Sequence, residues 1–210
     1  MRIRTLAGTA LVLLSLPGAA AAQAAWDTPS FLPPAPGDDI GAYYVQPDAS
    51  DWGVVGIWRQ QGNLNLGARL GVVQPSFGGA DLMWMAGGES WGTLLAAGAQ
   101  LPVNVAWTLG FGASFGNGVT FARVPVGVSI GRWLDLGGLA IQPYAHPRLG
   151  LDIYAPDEGD SETELAFLAD LGVDLALGSA LTVRAGISLG DADAVGVGVA
   201  YRMQRRVEVR

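Results

Sequence analysis

The sequence contains no cysteine and no lysine, and His146 is its only histidine. The missing cysteines exclude disulfide bonds and thiol catalysis. All twelve basic residues are arginines, scattered singly until Arg205 and Arg206, and the formal net charge is −7. Because nucleic acid is bound by clustered basic residues, we expect no nucleic-acid partner.

Charged residues are scarce as well, at 15% of the chain against about 25% in an average soluble domain. Apolar residues, in contrast, make up 50% of the chain, and 31 residues are glycine. This combination is typical of a protein with little water-facing surface.

The first residues have the three parts of a secretory signal, namely two arginines, an apolar run over 6–16 and a region of small residues. We predict a signal peptide over residues 1–22, with cleavage before Gln23 or Ala25 left open. An uncleaved membrane anchor is the alternative, but the apolar run is short for a span. Residues 23–38 are proline-rich and are expected to form an extended lead-in that acts as a spacer.

A two-residue alternation then recurs from residue 39 to residue 203. In the stretch AVGVGVAYRM, bulky residues from Val195 to Tyr201 share one face, and Gly196, Gly198 and Ala200 share the other. A period of two is that of a β-strand. The predicted strands lie near 40–46, 52–61, 64–73, 81–101, 105–115, 119–134, 139–154, 165–177, 181–189 and 194–203.

Three features of this pattern carry further expectations. The GGESWG motif within 81–101 is either a bulge in one long strand or a turn between two strands. Pro143 and Pro147 should distort their strand, because proline removes a ladder donor. The connections alternate in length, which predicts tight turns at the end that holds both termini and longer, acidic loops at the other.

The two faces differ in a way that indicates a membrane. Opposite the apolar row stand mostly glycine, alanine, serine and threonine, which coat a soluble protein poorly but suit the inside of a narrow barrel. Strands can cross hydrocarbon only as a closed barrel. The sequence therefore predicts an all-β fold, a closed antiparallel up-and-down transmembrane β-barrel of about 8–10 strands over residues 39–203, followed by a tail over 204–210.

Aromatic residues support this prediction, because tryptophan and tyrosine favour the head-group layer. We expect a girdle at the end with the termini, formed by Trp58, Trp107, Trp133 and Tyr201. Trp133 needs a bulge near Arg132 to face outward. A second belt is expected at the other end, formed by Tyr44, Trp52, Phe115, Phe121 and Tyr154.

Charged residues on the small-residue face are expected inside the lumen. They are Arg69, Glu89, Arg123, His146, Arg148, Asp152, Asp170, Asp174 and Arg184. Charges of both signs in a confined space suggest ion pairs that plug the barrel. A charge-lined passage for small solutes is the alternative.

No catalytic, metal-binding or cofactor-binding residue is predicted. A general base for acyl transfer is the catalytic hypothesis for His146, but the motif AHPR has no adjacent nucleophile and the ring points into the lumen. The acidic segment PDEGDSETE lacks the spacing of a calcium loop. Collection of divalent cations there, alongside lipopolysaccharide phosphates, stays open beside a simply solvated loop.

The alternating segments over residues 39–203 resemble the small outer-membrane β-barrels of Gram-negative bacteria, the class of the OmpA membrane domain and OmpX. The last strand is similar to the assembly signal of that class, here Val195, Val197, Val199 and Tyr201, although RMQRRVEVR continues beyond it. The resemblance implies an outer-membrane location, lipid and lipopolysaccharide as surroundings, and the barrel-assembly machinery as a partner.

The resemblance specifies architecture more than activity, and we expect a structural, adhesive or narrow-passage role with no catalytic residues identified. Two alternatives stay open. One is a lipid A-modifying enzyme built on the same barrel, and the other is a secreted soluble barrel that binds an apolar ligand. The sequence does not indicate the oligomeric state.

Overall fold

The computed structural model describes residues 28–98 and 100–203. They form one antiparallel sheet of ten long strands and one two-residue strand. The strands are β1 (Asp39–Pro47), β2 (Ser50–Gln60), β3 (Asn65–Pro75), β4 (Met83–Leu95), β5 (Asn104–Gly116), β6 (Val119–Gly131), β7 (Leu134–Asp135), β8 (Ala140–Pro156), β9 (Glu162–Leu177), β10 (Leu181–Gly190) and β11 (Ala194–Arg202). The predicted signal peptide 1–22 and tail 204–210 lie outside the described residues, as does the lead-in up to residue 27.

The sheet closes on itself. Strand β1 pairs with β11 along its length, from Asp39 opposite Arg202 to Pro47 opposite Ala194, and β6 pairs with β8. The short β7 pairs only with the start of β8. The predicted closed antiparallel up-and-down barrel is confirmed, with ten strands in the wall. We call the end where β1 begins and β11 ends the terminal end, and the opposite end the far end.

The GGESWG motif lies inside one strand. Pairing of β4 with β3 runs without a break from Trp91 opposite Asn65 to Met83 opposite Val73. The irregularity of β4 comes later, between Thr93 and Leu95. The even strand count follows from this continuity, and it places both ends of the barrel chain at the terminal end.

Pro147 coincides with a gap in the pairing of β6 with β8, as expected, whereas the expected distortion at Pro143 is not found in the pairing of β8 with β9. Pairing of β6 with β8 stops after Gly127 opposite Arg148 and resumes at Ile130 opposite Ala145. Proline has no N–H to donate, so a gap at this position has a direct cause. The register of β8 with β9 continues through Pro143, which faces Val173.

The predicted difference in connection length between the two ends is wrong. Segments 61–64, 96–103, 132–139 and 178–180 connect strands at the terminal end, and segments 48–49, 76–82, 117–118, 157–161 and 191–193 connect them at the far end. Pairing of β4 with β5 ends at Leu95 and β6 ends at Gly131, so 96–98, 100–101 and 132–133 are wrongly included in the predicted strands. The far end differs instead in its charge, because the β8–β9 hairpin carries the acidic segment at its tip.

The apolar row faces outward, as predicted. Val195, Val197 and Val199 are 47–50% exposed, whereas Ala200 is 1% exposed. Large exposed apolar side chains occur on each of the ten long strands. Within residues 28–98 and 100–203, the fold contains no helix long and apolar enough to cross a membrane.

The lining of the lumen changes along the barrel axis, although the sequence predicts small and charged residues throughout. Its far half is an apolar core that includes Val45, Val55, Val73, Met83 and Met85. Most of the charged residues lie in the other half. Phe121 also points inward and is 4% exposed, so its predicted place in the outer aromatic belt is wrong; it shares the face of Arg123, two residues along the strand.

Candidate functional site in the lumen

The proline-rich segment Thr28–Pro36 does not run outside the barrel. Thr28, Ser30, Phe31 and Leu32 are each at most 5% exposed. The Ser30 carbonyl accepts hydrogen bonds from Nη2 of Arg59 and Nη2 of Arg69, both at 2.9 Å. The segment therefore lies inside the lumen, and the interpretation of it as a plain spacer is corrected.

Contacts from other strands hold the same segment. The Ser30 N–H donates to Oδ2 of Asp170 at 3.1 Å, and the Ser129 hydroxyl donates to the Leu32 carbonyl at 2.8 Å. Prolines lower the number of N–H groups that burial would leave without an acceptor. This composition suits a segment that must be buried without strand partners of its own.

Glycines of the last two strands make room for this segment. Phe31 stacks on Tyr43 with ring centroids 4.4 Å apart. A Cβ atom on Gly196 would lie 2.6 Å from Cζ of Phe31, and one on Gly186 would lie 3.3 Å from Cβ of Pro29. The inward glycines of the alternating pattern therefore leave the space in which the N-terminal segment packs.

Glu89 lies at the centre of one buried ion-pair group. Its Oε1 accepts from Nε of Arg59 at 2.6 Å, and its Oε2 accepts from Nη2 of Arg69 at 2.8 Å. All three side chains are nearly inaccessible to solvent. Because the same two arginines bind the Ser30 carbonyl, this group links β2, β3 and β4 to the N-terminal segment.

Asp170 organises a second group. Its Oδ1 accepts from Nη2 of Arg148 at 2.7 Å, and its Oδ2 lies 3.4 Å from Nδ1 of His146. Arg148 also donates to the Ser188 hydroxyl at 3.1 Å. Ser30 joins this group through its N–H, so one residue of the N-terminal segment connects the Glu89 and Asp170 groups.

Arg184 forms a third group nearer the terminal end. It donates through Nε to Oδ2 of Asp174 at 2.8 Å, through Nη2 to Oδ2 of Asp39 at 2.7 Å and through Nη1 to the Tyr43 hydroxyl at 3.0 Å. Arg123 and Asp152 form a separate pair. The nine charged residues predicted for the lumen are thus brought together in several groups.

Sequence reasoning missed five residues of these groups, namely Arg59, Asp39, Tyr43, Ser188 and Ser30. Arg59 has a usable signal, since it alternates with the outward Trp58 and must point inward. Asp39 stands at the predicted start of the barrel and Tyr43 was not assigned a role. Ser30 has no signal in the pattern, because three of its contacts are made by its backbone, one through the N–H and two through the carbonyl.

His146 has neighbours that superficially suit acyl-transfer chemistry. Its Nε2 lies 2.7 Å from the Thr108 hydroxyl, and its Nδ1 lies 2.7 Å from the Ser30 hydroxyl and 3.4 Å from Asp170. The adjoining cavity has a volume of about 20 Å³, which is about the space of one water molecule. The arrangement therefore suits hydrogen bonding within the lumen and offers no room for a lipid substrate.

The aromatic residues predicted for the girdle all lie toward the terminal end and are partly exposed there: Trp58, Trp107, Trp133 and Tyr201. Strand β6 ends at Gly131, so Trp133 lies in the following segment and not on a bulge of the strand, and there it borders a cavity at the end of the lumen. Trp84 is exposed near the far end and was missed. The assembly-signal residues Val195, Val197, Val199 and Tyr201 form the outward face of β11.

No family model and no curated protein matches this sequence. Solved structures with a similar fold include outer-membrane β-barrels. They include a KdgM porin (TM-score 0.42, 7% identity, 79% of this chain and 99% of that chain). They also include the β domain of the Bordetella autotransporter BrkA (0.46, 14%, 80% and 99%) and the attachment invasion locus protein Ail of Yersinia pestis (0.29, 9%, 80% and 100%).

Proposed function

We propose that this protein is an integral outer-membrane β-barrel whose lumen is closed by its own N-terminal segment and by arginine–carboxylate pairs. Its role is then structural or adhesive at the cell surface, and not the passage of solutes. The observation that carries this proposal is the sidedness of the wall, with aliphatic side chains outside and charged side chains inside.

The exposed aliphatic side chains support the membrane assignment. They surround the barrel on all ten long strands, whereas soluble monomers rarely expose a contiguous apolar patch larger than a few hundred Å². The predicted signal peptide and the resemblance to the OmpA and OmpX class remain predictions that favour the same location. A soluble barrel that carries an apolar ligand would need the opposite sidedness.

The contacts of Ser30 support a closed lumen. Its carbonyl, N–H and hydroxyl form hydrogen bonds with side chains from β2, β3, β8 and β9, so this residue connects four strands across the interior. Charged residues in a wide aqueous passage would be hydrated, whereas Arg59, Arg69 and Asp170 are at most 4% exposed and bonded to partners. A plug of this kind favours the structural role over narrow passage.

The acidic tip of the β8–β9 hairpin supports a role at the cell surface. It carries Asp157, Glu158, Asp160 and Glu162 on exposed positions. Divalent cations could bridge such carboxylates to lipopolysaccharide phosphates, and we propose lipopolysaccharide as a neighbour of this hairpin. The outward face of β11 is the proposed contact for the barrel-assembly machinery.

Membrane fractionation tests the location. We expect the protein in the outer-membrane fraction, soluble only with detergent, with heat-modifiable migration on a gel. Recovery from the periplasm without detergent would contradict the proposal.

Conductance in planar lipid bilayers tests the closed lumen. We expect the wild-type protein to be silent and a variant lacking residues 28–36 to conduct ions. A variant in which the hairpin tip 157–161 is replaced by a short turn is the matched control and should stay silent. Stable open steps in the wild type, or a folded and silent 28–36 deletion, would refute closure by this segment.

A further inference from the structure

A cavity of about 330 Å³ lies in the terminal end of the lumen. Pro36 and Gly37 of the N-terminal segment form one side of it, and Trp133 and Arg202 stand at its rim. Its deeper wall is polar and at most 5% exposed, and consists of Asp39, Gln142, Asp174, Thr182 and Arg184. Four strands supply these five side chains, so the cavity is part of the barrel framework.

Arg184 donates hydrogen bonds to only one of the two oxygens of each carboxylate in this wall. It donates to Oδ2 of Asp174 and to Oδ2 of Asp39, at 2.8 and 2.7 Å. Within the described part of the chain, the remaining Oδ1 of each aspartate has no hydrogen-bond partner. Both of these oxygens are buried and belong to residues that line the cavity.

Gln142 adds two more unsatisfied atoms. It is 0% exposed, and neither Oε1 nor Nε2 has a hydrogen-bond partner among residues 28–98 and 100–203. It stands directly opposite Asp174 in the β8–β9 pairing. Buried side-chain amides without partners are rare in native proteins, because desolvation then goes uncompensated. Such a group on a cavity wall indicates that the cavity has a polar occupant.

The chemistry of the wall specifies the occupant. Three unsatisfied oxygens, from Asp39, Asp174 and Gln142, accept hydrogen bonds, and only one unsatisfied nitrogen donates. Two aspartates and Arg184 give the buried wall a formal charge of −1, and Arg202 at the rim brings the whole lining to zero. A primary ammonium group has three N–H donors, which match these three acceptors, and its positive charge is balanced by the buried wall.

We propose that the cavity binds a primary amine on a slender aliphatic stem, with the ammonium group held by Asp39, Asp174 and Gln142. The indole of Trp133 at the rim offers the stem an apolar surface. The cavity lies at the terminal side of the residues that hold Ser30, and because Pro36 and Gly37 form one side of it, the proposal rests on the position of the N-terminal segment inside the lumen. It depends on the folded barrel and not on the membrane location.

Calorimetric titration of the purified full chain in detergent tests the proposal, with n-butylammonium as the probe. We expect saturable binding to one site. Tetramethylammonium, which has the same charge but no N–H donor, and neutral 1-butanol should not bind. Equal binding of tetramethylammonium would reduce the effect to general charge attraction and overturn the proposal, as would the absence of butylammonium binding.

The variant Gln142→Leu distinguishes a ligand-binding role of Gln142 from a structural role. The variant should weaken butylammonium binding by at least about tenfold, while its urea unfolding midpoint should stay at or above that of the wild type, since Gln142 makes no side-chain bond that the change removes. Gln60→Leu, at an exposed position on β2, is the matched control and should bind normally. Unchanged binding by Gln142→Leu, or a large loss of stability without ligand, would refute the assignment.

Discussion

Glycines on the inner face of the barrel receive aromatic rings. A Cβ atom on Gly172 would overlap Cζ of Tyr144, and one on Gly198 would lie 2.5 Å from Cδ1 of Tyr43. Phe31 occupies the corresponding space over Gly196. Each of these glycines is therefore required by a neighbouring ring, and a larger residue would displace the ring or shift the strand.

The buried charges are the other residues on which the interior depends. Glu89→Gln removes the negative charge that Arg59 and Arg69 share, and it leaves two buried guanidinium groups without a counter-charge. We expect a loss of about 3–5 kcal/mol in the free energy of unfolding, the usual effect of breaking a buried pair. Urea unfolding in detergent micelles measures this loss.

Glu162→Gln at the exposed start of β9 is the control for that variant. It removes the same charge from a solvated position and should change stability by less than about 0.5 kcal/mol. Equal midpoints for Glu89→Gln and the wild type would contradict the assignment of Glu89 as the centre of a buried ion-pair group.

Residue by residue, alternation predicts which side chains point inward but not what they touch. Arg69, Arg148 and Arg184 follow directly from their parity in the strands. Asp39 and Ser30 do not, because one lies at a strand end and the other is bound largely through its backbone. A period-two pattern records only side-chain direction, so contacts made by peptide groups leave no trace in it.

Strand β9 shows how a single element serves two environments. Its outward residues, such as Leu171, are exposed, while Leu168 is 0% exposed in the far half of the lumen. On the sequence alone Leu168 is an exception to the row of small and polar residues. The structure explains it, because the far half of the lumen is an apolar core.

Leucine truncation on this strand tests the two environments. Leu168→Ala should lower the free energy of unfolding by about 2–5 kcal/mol, as expected for a cavity in a packed core. Leu171→Ala faces outward and leaves no internal cavity, so its cost should be clearly smaller. Unfolding midpoints of the two variants in the same lipid or detergent give the comparison, and equal losses would contradict the inward packing of Leu168.

Elements were predictable where backbone pairing and side-chain alternation coincide, as in β10 and β11. Strand ends were not, as at 96–98 and 100–101, because a run of small and apolar residues does not record where backbone pairing stops. The position of Thr28–Pro36 was also beyond prediction. An irregular segment has no period, and its burial depends on a cavity that ten strands form together.

At the scale of the whole molecule, closure of the sheet and the outward position of its apolar face depend on each other. Pairing of β1 with β11 leaves no free edge in the ten-stranded wall, which is what a sheet needs in order to satisfy its backbone in hydrocarbon. The closed wall then separates an apolar outer surface from an interior that its own N-terminal segment enters. Membrane insertion and lumen filling therefore depend on the same assignment of faces.

Spin labelling tests that assignment most directly, and the absence of native cysteine makes each introduced cysteine unique. In reconstituted lipid bilayers, a nitroxide at Val197→Cys should collide with dissolved oxygen and be shielded from an aqueous nickel reagent. A label at Asp160→Cys, on the far-end hairpin tip, should show the reverse preference. A Val197→Cys label that is accessible to nickel, or immobilised and shielded from oxygen, would contradict the outward, lipid-facing position of the aliphatic row.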